Sequence, residues 1–413
     1  MMNILIISCV FPPEPVTSAI TSEQIAMGLV ERGHKVTVIT AFPNRPGGKL
    51  YSGYTRTWRK VQEHPNGYQL IRVFSFFSTT STATSRLLEN LSFGLRAVIE
   101  SLWIKPDLVY VNTWPLFALG MVTALCSLRK VPLVINIQDI YPESAIALKK
   151  SPETGIIPQL LKDLDRWIAH QAKVLITPSE NFADFYRTIR QVPADKIHIV
   201  YNWLDEEEIK PFPRLGAFRT MQGISEDTFV VMYAGNIGVN AGVEIIIEVA
   251  NQLKDLEKVI FVIAGSGTCK NQCEELVKQY NLSNVQFFSP LPKELFSDVQ
   301  GSADLMILPT RGSGALTSVP SKLIAYMLSG RPVLAAVAEN SDTARIIQQA
   351  ECGVFVPPEE PMAIASQIRH LMQVPEKLKQ MGESARYYTQ KNFSGKACLP
   401  KLINILESLE KKH

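Results

Sequence analysis

Histidine and cysteine are both scarce in this chain, six of each among 413 residues, and neither clusters. Cys9, Cys126, Cys352 and Cys398 stand alone in mostly apolar segments. Cys269 and Cys273 share a predicted helix without a partner His or Cys cluster nearby. That scatter argues against a zinc motif and a disulfide framework, and it reads as buried thiols in a reducing compartment. A charge excess is missing too. Lys and Arg number 42 against 39 Asp and Glu, a net charge of +3, far from the surplus of a dedicated nucleic-acid binder. No apolar run reaches the ~20 residues of a membrane-spanning helix. The longest, from Trp114 to Leu128, reads as a buried helix against a sheet. Met1 leads almost directly into the strand Asn3-Ile-Leu-Ile-Ile-Ser8 without a basic n-region, so no signal peptide is expected. Neither G-x-x-x-x-G-K-[ST] nor G-x-G-x-x-G occurs in the glycine turns, which disfavours a P-loop kinase and an NAD dehydrogenase.

What the chain has is length and alternation. It is too long for one ordinary core, so two domains of roughly 200 residues are expected. Strands are predicted near 4–8, 35–41, 70–74, 108–112, 133–139, 174–179 and 197–202. In the second half they fall near 228–234, 259–264, 285–288, 305–309, 332–337 and 353–356. Most are continuous β-branched runs such as LVINIQD and KVTVIT, the mark of parallel strands covered on both faces. Amphipathic segments such as 18–32, which ends at Gly33, lie between them. This βαβα order implies α/β doubly wound sheets with right-handed crossovers. The hinge is expected near 202–216, where Asn202-Trp-Leu-Asp205 passes into Glu206–Glu208 and then Pro211 and Pro213. The expected domains are 1–205 and 206–393, followed by a helix within 394–413 with Leu399, Leu402, Ile403, Leu406 and Leu409 on one face. That helix either finishes the second domain or folds back onto the first.

The second half sets its glycines just past the carboxyl ends of strands, where open sheets bind ligands. Tyr233-Ala-Gly-Asn-Ile-Gly238 is one such turn, with Gly242 beyond it, and Ala264-Gly-Ser-Gly267 is another. The third lies in residues 310–333, TRGSGALTSVPSKLIAYMLSGRPV. There Gly312 and Gly314 loosen a loop, Thr317 and Ser318 are candidate caps, and Pro320, Ser321 and Lys322 open a helix. Unpaired N–H groups at a helix start attract anions, and a lysine adds a full positive charge, a combination that suits a diphosphate. Any one of these turns also fits an ordinary capped helix with a solvated lysine. Three in one half favour phosphate.

In this order YAGNIG, IAGSG and SVPSK…GRP resemble glycosyltransferase family four, the large group of retaining nucleotide-sugar transferases with the GT-B fold. The likeness covers nearly the whole chain, through ERGHKVTVIT at 31–40, QDIYPES at 138–144 and YNWLD at 201–205. The chain is similar in particular to the bacterial branch of fucosyl- and N-acetylfucosaminyl-type transferases of surface polysaccharide assembly. That branch carries the Asn-Ile-Gly turn, the Ser-Lys pair and an Asp-x-Trp-Pro-Glu segment, in which Tyr141 here replaces the Trp. The resemblance implies two Rossmann-like domains facing across a cleft, acceptor-side first and donor-side second. It also implies an enzyme of the hexosyl- or deoxyhexosyltransferase class. Such an enzyme moves sugar from a nucleotide-diphosphate donor to a saccharide, often lipid-linked, in exopolysaccharide, capsule or O-antigen assembly. The nucleotide sugar is substrate; no cofactor, metal or nucleic-acid partner is expected.

By this resemblance the donor is held by Gly235, Asn236, Ile237, Gly238, Gly265, Gly267, Phe288, Ser321, Lys322 and Leu323. Lys322 is the expected catalytic cation. Asp139 is the second catalytic candidate, orienting the acceptor hydroxyl or the reacting sugar, while its local sequence fits an N-cap equally well. Glu143 is the other acceptor-side candidate, set against an ordinary exposed helix glutamate. Phe288 either borders the nucleotide base or packs in the core. The chain departs from the family in two places. Asn236 and Ala241 stand where Arg and Lys grip the donor diphosphate, and Thr317 and Ala325 stand where a glutamate pair spans the phosphate helix. Lys322 is then expected to supply the missing cation. In retaining members the acceptor attacks on the leaving-group side, so the departing phosphate takes its proton and no dedicated nucleophile is required.

Asp163-Leu-Asp165 has the D-x-D form of a metal motif, but i and i+2 point apart on a helix, so both read as solvated charges. His34, just after Gly33, reads as a capping or packing residue. Segment 86–105 sets Arg86, Arg96 and Lys105 beside Leu87, Leu91, Leu95 and Trp103, with Trp58, Arg59 and Lys60 as further basic and aromatic residues. It is either a domain-core helix or an interfacial helix on anionic lipid. The resemblance favours membrane contact, hence a cytoplasmic protein peripheral on the inner membrane surface. Two other functions compete. A nucleotide-sugar 2-epimerase shares the architecture but leans on in-cleft carboxylates and histidines, and the histidines here fall mainly on helices and loops. A catalytically silent nucleotide-sugar-binding partner draws on the absent glutamates.

Overall fold

Continuous β-branched runs bury a strand on both faces, and the computed structural model gathers them into two sheets. It describes residues 1–45, 47–80, 82–112, 115–147, 155–289, 293–311 and 319–410. The chain divides into two compact units, Met1–Tyr201 with Leu399–His413, and Asn202–Cys398.

The first unit holds β1 (Asn3–Ile7), β2 (Lys35–Ala41), β3 (Arg59–Glu63), β4 (Gln69–Val73), β5 (Leu108–Asn112), β6 (Leu133–Asn136), β7 (Val174–Thr177) and β8 (Ile197–Ile199). Their order is β3-β4-β2-β1-β5-β6-β7-β8, parallel throughout except that β3 pairs antiparallel with β4. Strand β3, RKVQE, lies outside the predicted strands. It is a charged, mostly exposed edge, the kind that resists further pairing and carries no apolar run to reveal it. Leu5, Ile39, Val109 and Ile135 pack with Phe93, Leu119, Val122 and Ile168 from the covering helices. Each such side chain contributes about 1.5–3 kcal/mol by leaving water.

The second unit holds β9 (Phe229–Ala234), β10 (Val259–Ala264), β11 (Val285–Phe288), β12 (Leu305–Pro309), β13 (Val333–Ala336) and β14 (Gly353–Val356), ordered β11-β10-β9-β12-β13-β14 and all parallel. In both sheets the order reverses beside the first strand of the unit, at β1/β5 and at β9/β12. Open sheets bind ligands at the carboxyl ends of such a switch point. Residues 202–206 go with the second unit because Leu204 bridges to Ser394 and Glu206 Oε2 accepts the Gly395 N–H at 3.1 Å. The last helix, Gly395–Glu407, crosses the boundary. In its later turns Glu407 takes His34 Nε2 at 3.0 Å, and His34 Nδ1 accepts from the Met2 N–H at 3.1 Å. His34 is a packing residue.

Helix Ile156–Gln171 corrects one expectation. Asp163 is exposed, but Asp165 is buried. Its Oδ2 accepts from Arg190 Nε at 2.7 Å and its Oδ1 from the Tyr186 hydroxyl at 3.1 Å. Residues two apart point to different sides of a helix, so one of the pair faces inward. The partner that makes burial tolerable lies 25 residues away. Helix Leu116–Arg129 buries Leu116, Leu119, Val122 and Cys126, while Trp114 lies outside the described residues. Among the described residues, no helix is long and apolar enough to cross a membrane.

Candidate functional site

The glycine turns after β9 and β10 lie side by side at the second switch point, joined backbone to backbone. Gly235 N–H donates to the Ala264 carbonyl at 2.9 Å, Ile237 N–H to Ser266 at 2.8 Å and Gly265 N–H to Phe288 at 3.0 Å. Gly265, at φ +155°, has no room for a side chain: a Cβ would collide with the Gly235 carbonyl oxygen. Gly235, at φ +153°, faces Lys322. A Cβ there would stand 2.9 Å from Lys322 Cδ and run into Cε. Lys322 reaches this point from helix Ser321–Leu328, in the segment after β12, so both strands of the switch point contribute.

One turn along the same helix face, Tyr326 ties the helix to the strand. Its hydroxyl donates to the Ala234 carbonyl at 2.9 Å and accepts the Ala234 N–H at 3.0 Å. Sequence reasoning missed this residue, although its i+4 spacing from Lys322 was the available signal.

Lys322 is half-buried, with Nζ 5.4 Å from the Tyr233 ring centroid. Among the described residues it makes no ion pair. Burial lowers its pKa from the ordinary lysine value. The helix opens at Ser321 after Pro320 without a side-chain cap, so its first turn lacks that acceptor. A desolvated cation beside an uncapped helix start favours an anion that replaces lost water.

The other expected donor residues divide. Gly267, Asn236 and Ser321 are exposed beside these turns. Gly238 follows in the same turn, its carbonyl accepting the Ala241 N–H at 2.9 Å. Ile237 and Leu323 are corrected to packing residues. Both side chains are wholly buried, and their N–H groups are taken by Ser266 and by Pro320. Apolar side chains beside a polar turn are drawn into the core, which the motif alone did not show. Phe288 packs edge-on against Phe218 at 5.1 Å, so its ring is engaged with the protein. The Gly312/Gly314 loop with Thr317 and Ser318 lies outside the described residues. Arg311, not foreseen, follows β12 and pairs through Nε with Glu244 in the first turn of helix Val243–Gln252.

At the first unit's switch point a chain of buried polar groups runs across the strand ends. Ser22 Oγ donates to Ser8 Oγ at 3.2 Å, Asn112 Nδ2 to Ser22 Oγ at 2.8 Å and Asn136 Nδ2 to Asn112 Oδ1 at 3.2 Å. Gln138 Nε2 continues it to Asn136 Oδ1 at 3.1 Å, and Asp139 comes next in sequence. Protein crowding raises the Asp139 pKa, against hydrogen bonds from Ser144 and the Ile140 N–H, while the residue keeps an exposed side. Glu143 is neither a free catalyst nor a solvated helix glutamate: its Oε2 accepts from Arg190 Nη2 at 2.7 Å in the Asp165 network. Among the described residues no group of three His, Cys, Asp or Glu side chains is placed to hold a metal.

Two family models match the chain, Glycosyltransferase Family 4 over residues 19–208 and Glycosyl transferases group 1 over residues 217–388. The chain is 24% identical over 416 residues to the putative colanic acid biosynthesis glycosyl transferase WcaI of Escherichia coli K12, covering 98% of this chain and 99% of that protein. Among solved structures, sucrose-phosphate synthase from Thermosynechococcus elongatus superposes with a TM-score of 0.75 at 18% identity over 99% of each chain. The Anabaena protein HepE in complex with UDP gives 0.71 at 17% identity, over 98% of this chain and 100% of that one. At these identities the structural likeness speaks to fold alone. These comparisons lend no support to an epimerase or a silent binding partner. The chain is a glycosyltransferase of the GT-B fold, its residues 19–208 matching the Glycosyltransferase Family 4 model and its residues 217–388 the Glycosyl transferases group 1 model.

Proposed function

We propose that this glycosyltransferase takes a nucleoside-diphosphate sugar at the second unit's switch point and transfers the sugar to a saccharide with retention of anomeric configuration. The observation that carries this reading is Lys322, half-buried and without an ion-pair partner among the described residues, laid against the Gly235 turn beside an uncapped helix start. The C1–O bond to the diphosphate breaks while the acceptor oxygen bonds C1 on the same face, and the hydroxyl proton passes to the departing phosphate oxygen. The Lys322 ammonium and the N–H groups of Ser321 and Lys322 offset the growing negative charge, so the proposed transfer is metal-independent. The polar chain from Ser8 to Gln138, with Asp139 at its end, is the proposed acceptor-side surface. HepE, a structural neighbour, was solved with UDP, which makes a uridine sugar the first donor to try.

WcaI is named for colanic acid biosynthesis, which supports a role in surface polysaccharide assembly. A deoxyhexose donor of the fucosyl type, a lipid-linked acceptor and peripheral attachment to the cytoplasmic membrane face are the finer parts of the proposal. Exposed Leu87, Leu88, Leu91 and Leu95 on helix Ala83–Leu102, with Trp103 beyond its end, support the membrane part.

The test is incubation with UDP, GDP and dTDP sugars, with and without saccharide acceptors, reading released diphosphate and the product's anomeric signal by NMR. Acceptor-dependent release that survives EDTA is expected. Inversion at C1, or complete loss on chelation restored by manganese or magnesium, would sink the corresponding part of the reading.

A further inference from the structure

A cavity of about 770 Å³ opens at the opposite end of the second sheet. Phe229 begins β9 and Asp304 immediately precedes β12, so both lie at the amino ends of strands whose carboxyl ends lead to the donor site. A six-residue strand separates those ends by about 20 Å. The cavity lies wholly within the second unit, and its size falls in the roughly 300–1,000 Å³ range of small-molecule sites.

Its ionisable lining is Arg214, Arg331, Lys379 and Arg386 against Asp304 and Glu383. Asp304 is already satisfied: it pairs with Arg214, accepts from Arg219 Nη2 at 2.6 Å and takes the Val230 N–H at 2.8 Å. Arg331 donates through Nη2 to the Phe212 carbonyl at 2.7 Å, while its Nε is buried, shut off from the cavity, and without a hydrogen-bond partner among the described residues. Arg386 donates to the carbonyls of Leu328 and Ile209 at 2.7 and 2.9 Å. Neither Arg331 nor Arg386 has an ion-pair partner among the described residues. The lining therefore carries four cations against two carboxylates, one of them already shared between two arginines.

Guanidinium groups match the oxygens of phosphate. The rest of the wall includes Pro211, Phe229, Leu378 and the exposed ring of Tyr387, surfaces that suit an uncharged ring.

We propose that this cavity is a second ligand site, separate from the donor site, for a small phosphorylated sugar whose phosphate meets Arg331, Arg386 and Lys379 and whose ring rests on Tyr387. The site needs no metal and no partner chain, and it stands independently of the donor's identity.

Calorimetry on the full chain tests it with glucose 6-phosphate, inorganic phosphate and glucose, in wild type and in Lys322→Met. Glucose 6-phosphate should bind one site in both proteins, inorganic phosphate more weakly at the same site, and glucose not at all. Lys379→Glu changes an exposed side chain at the cavity and should weaken binding by at least about fivefold without altering basal activity. Arg331→Gln should abolish it, and if that variant does not fold, Lys379→Glu decides. No binding of glucose 6-phosphate at millimolar concentration overturns the proposal. So does binding that Lys379→Glu leaves intact, or binding lost in Lys322→Met.

Discussion

Lys322 lies along Gly235 so closely that the glycine's missing side chain defines the lysine's position: a methyl group there would stand 2.9 Å from Cδ and overlap Cε. The two residues are 87 apart in sequence, and they meet because the order of the sheet sets β9 beside β12. Tyr326 fixes the approach by bonding both backbone groups of Ala234.

Gly235→Ala is expected to fold with a loss of about 1–3 kcal/mol, from a strained positive φ and a displaced lysine. UDP affinity should fall with it. Urea denaturation and UDP calorimetry measure the two effects. Unchanged UDP binding would show that the turn does not hold Lys322 for the donor.

Lys322→Met should lower turnover by roughly 10²–10³, the usual effect of losing one preorganised charge-stabilising donor. Stability should hold or rise, because a desolvated charge with no ion-pair partner among the described residues is replaced by an apolar side chain of similar length. The pH profile gives a second check. Burial lowers the Lys322 pKa below the ordinary value of 10.5, and the protonated form is the useful one. The rate constant kcat/KM should therefore be high below that lowered pKa and fall as pH rises through it. Lys322→Arg should lose this alkaline limb. An identical limb in both proteins would assign it to another group.

Arg190→Met removes the cation that joins Asp165 and Glu143, leaving a buried carboxylate unpaired. A loss of about 3–5 kcal/mol is expected. Adding Asp165→Leu should recover part of it. Denaturant midpoints decide, and an effect near zero in the single variant would mean the network carries no stability.

Vesicle co-sedimentation tests the membrane proposal. Binding should rise with anionic lipid content and fall with salt, at about 1 kcal/mol per basic residue near the surface. Changing Leu87, Leu91 and Leu95 to serine should weaken it. Arg96 is a poor variant because its Nη2 is held by the buried Glu100 at 2.7 Å. Wild type remaining in the supernatant at low salt would make this helix face something other than a lipid contact.

The parallel strands were legible because most are continuous apolar runs, a pattern that local sequence carries in full. The glycine turns after β9 and β10 were legible for the same reason, since glycine past a strand end marks close backbone approach. Lys322 stood out by its place at a helix start. Strand β3 was not legible: a charged edge strand is stabilised by pairing with β4, and RKVQE alone resembles a surface loop or a basic patch. Ile237 and Leu323 were misassigned because a motif names residues in a turn without saying which of them face the core.

The sequence by itself determined the two-sheet α/β design, the turns and the presence of a cation at one helix start, all properties of neighbouring residues. Tertiary structure decided which charges meet. Asp165 finds Arg190 from 25 residues away, and Asp304 finds Arg219 from 85. Whether a charged side chain is solvated, paired or left facing a cavity depends on desolvation and on partners brought from distant segments, and no local pattern contains them.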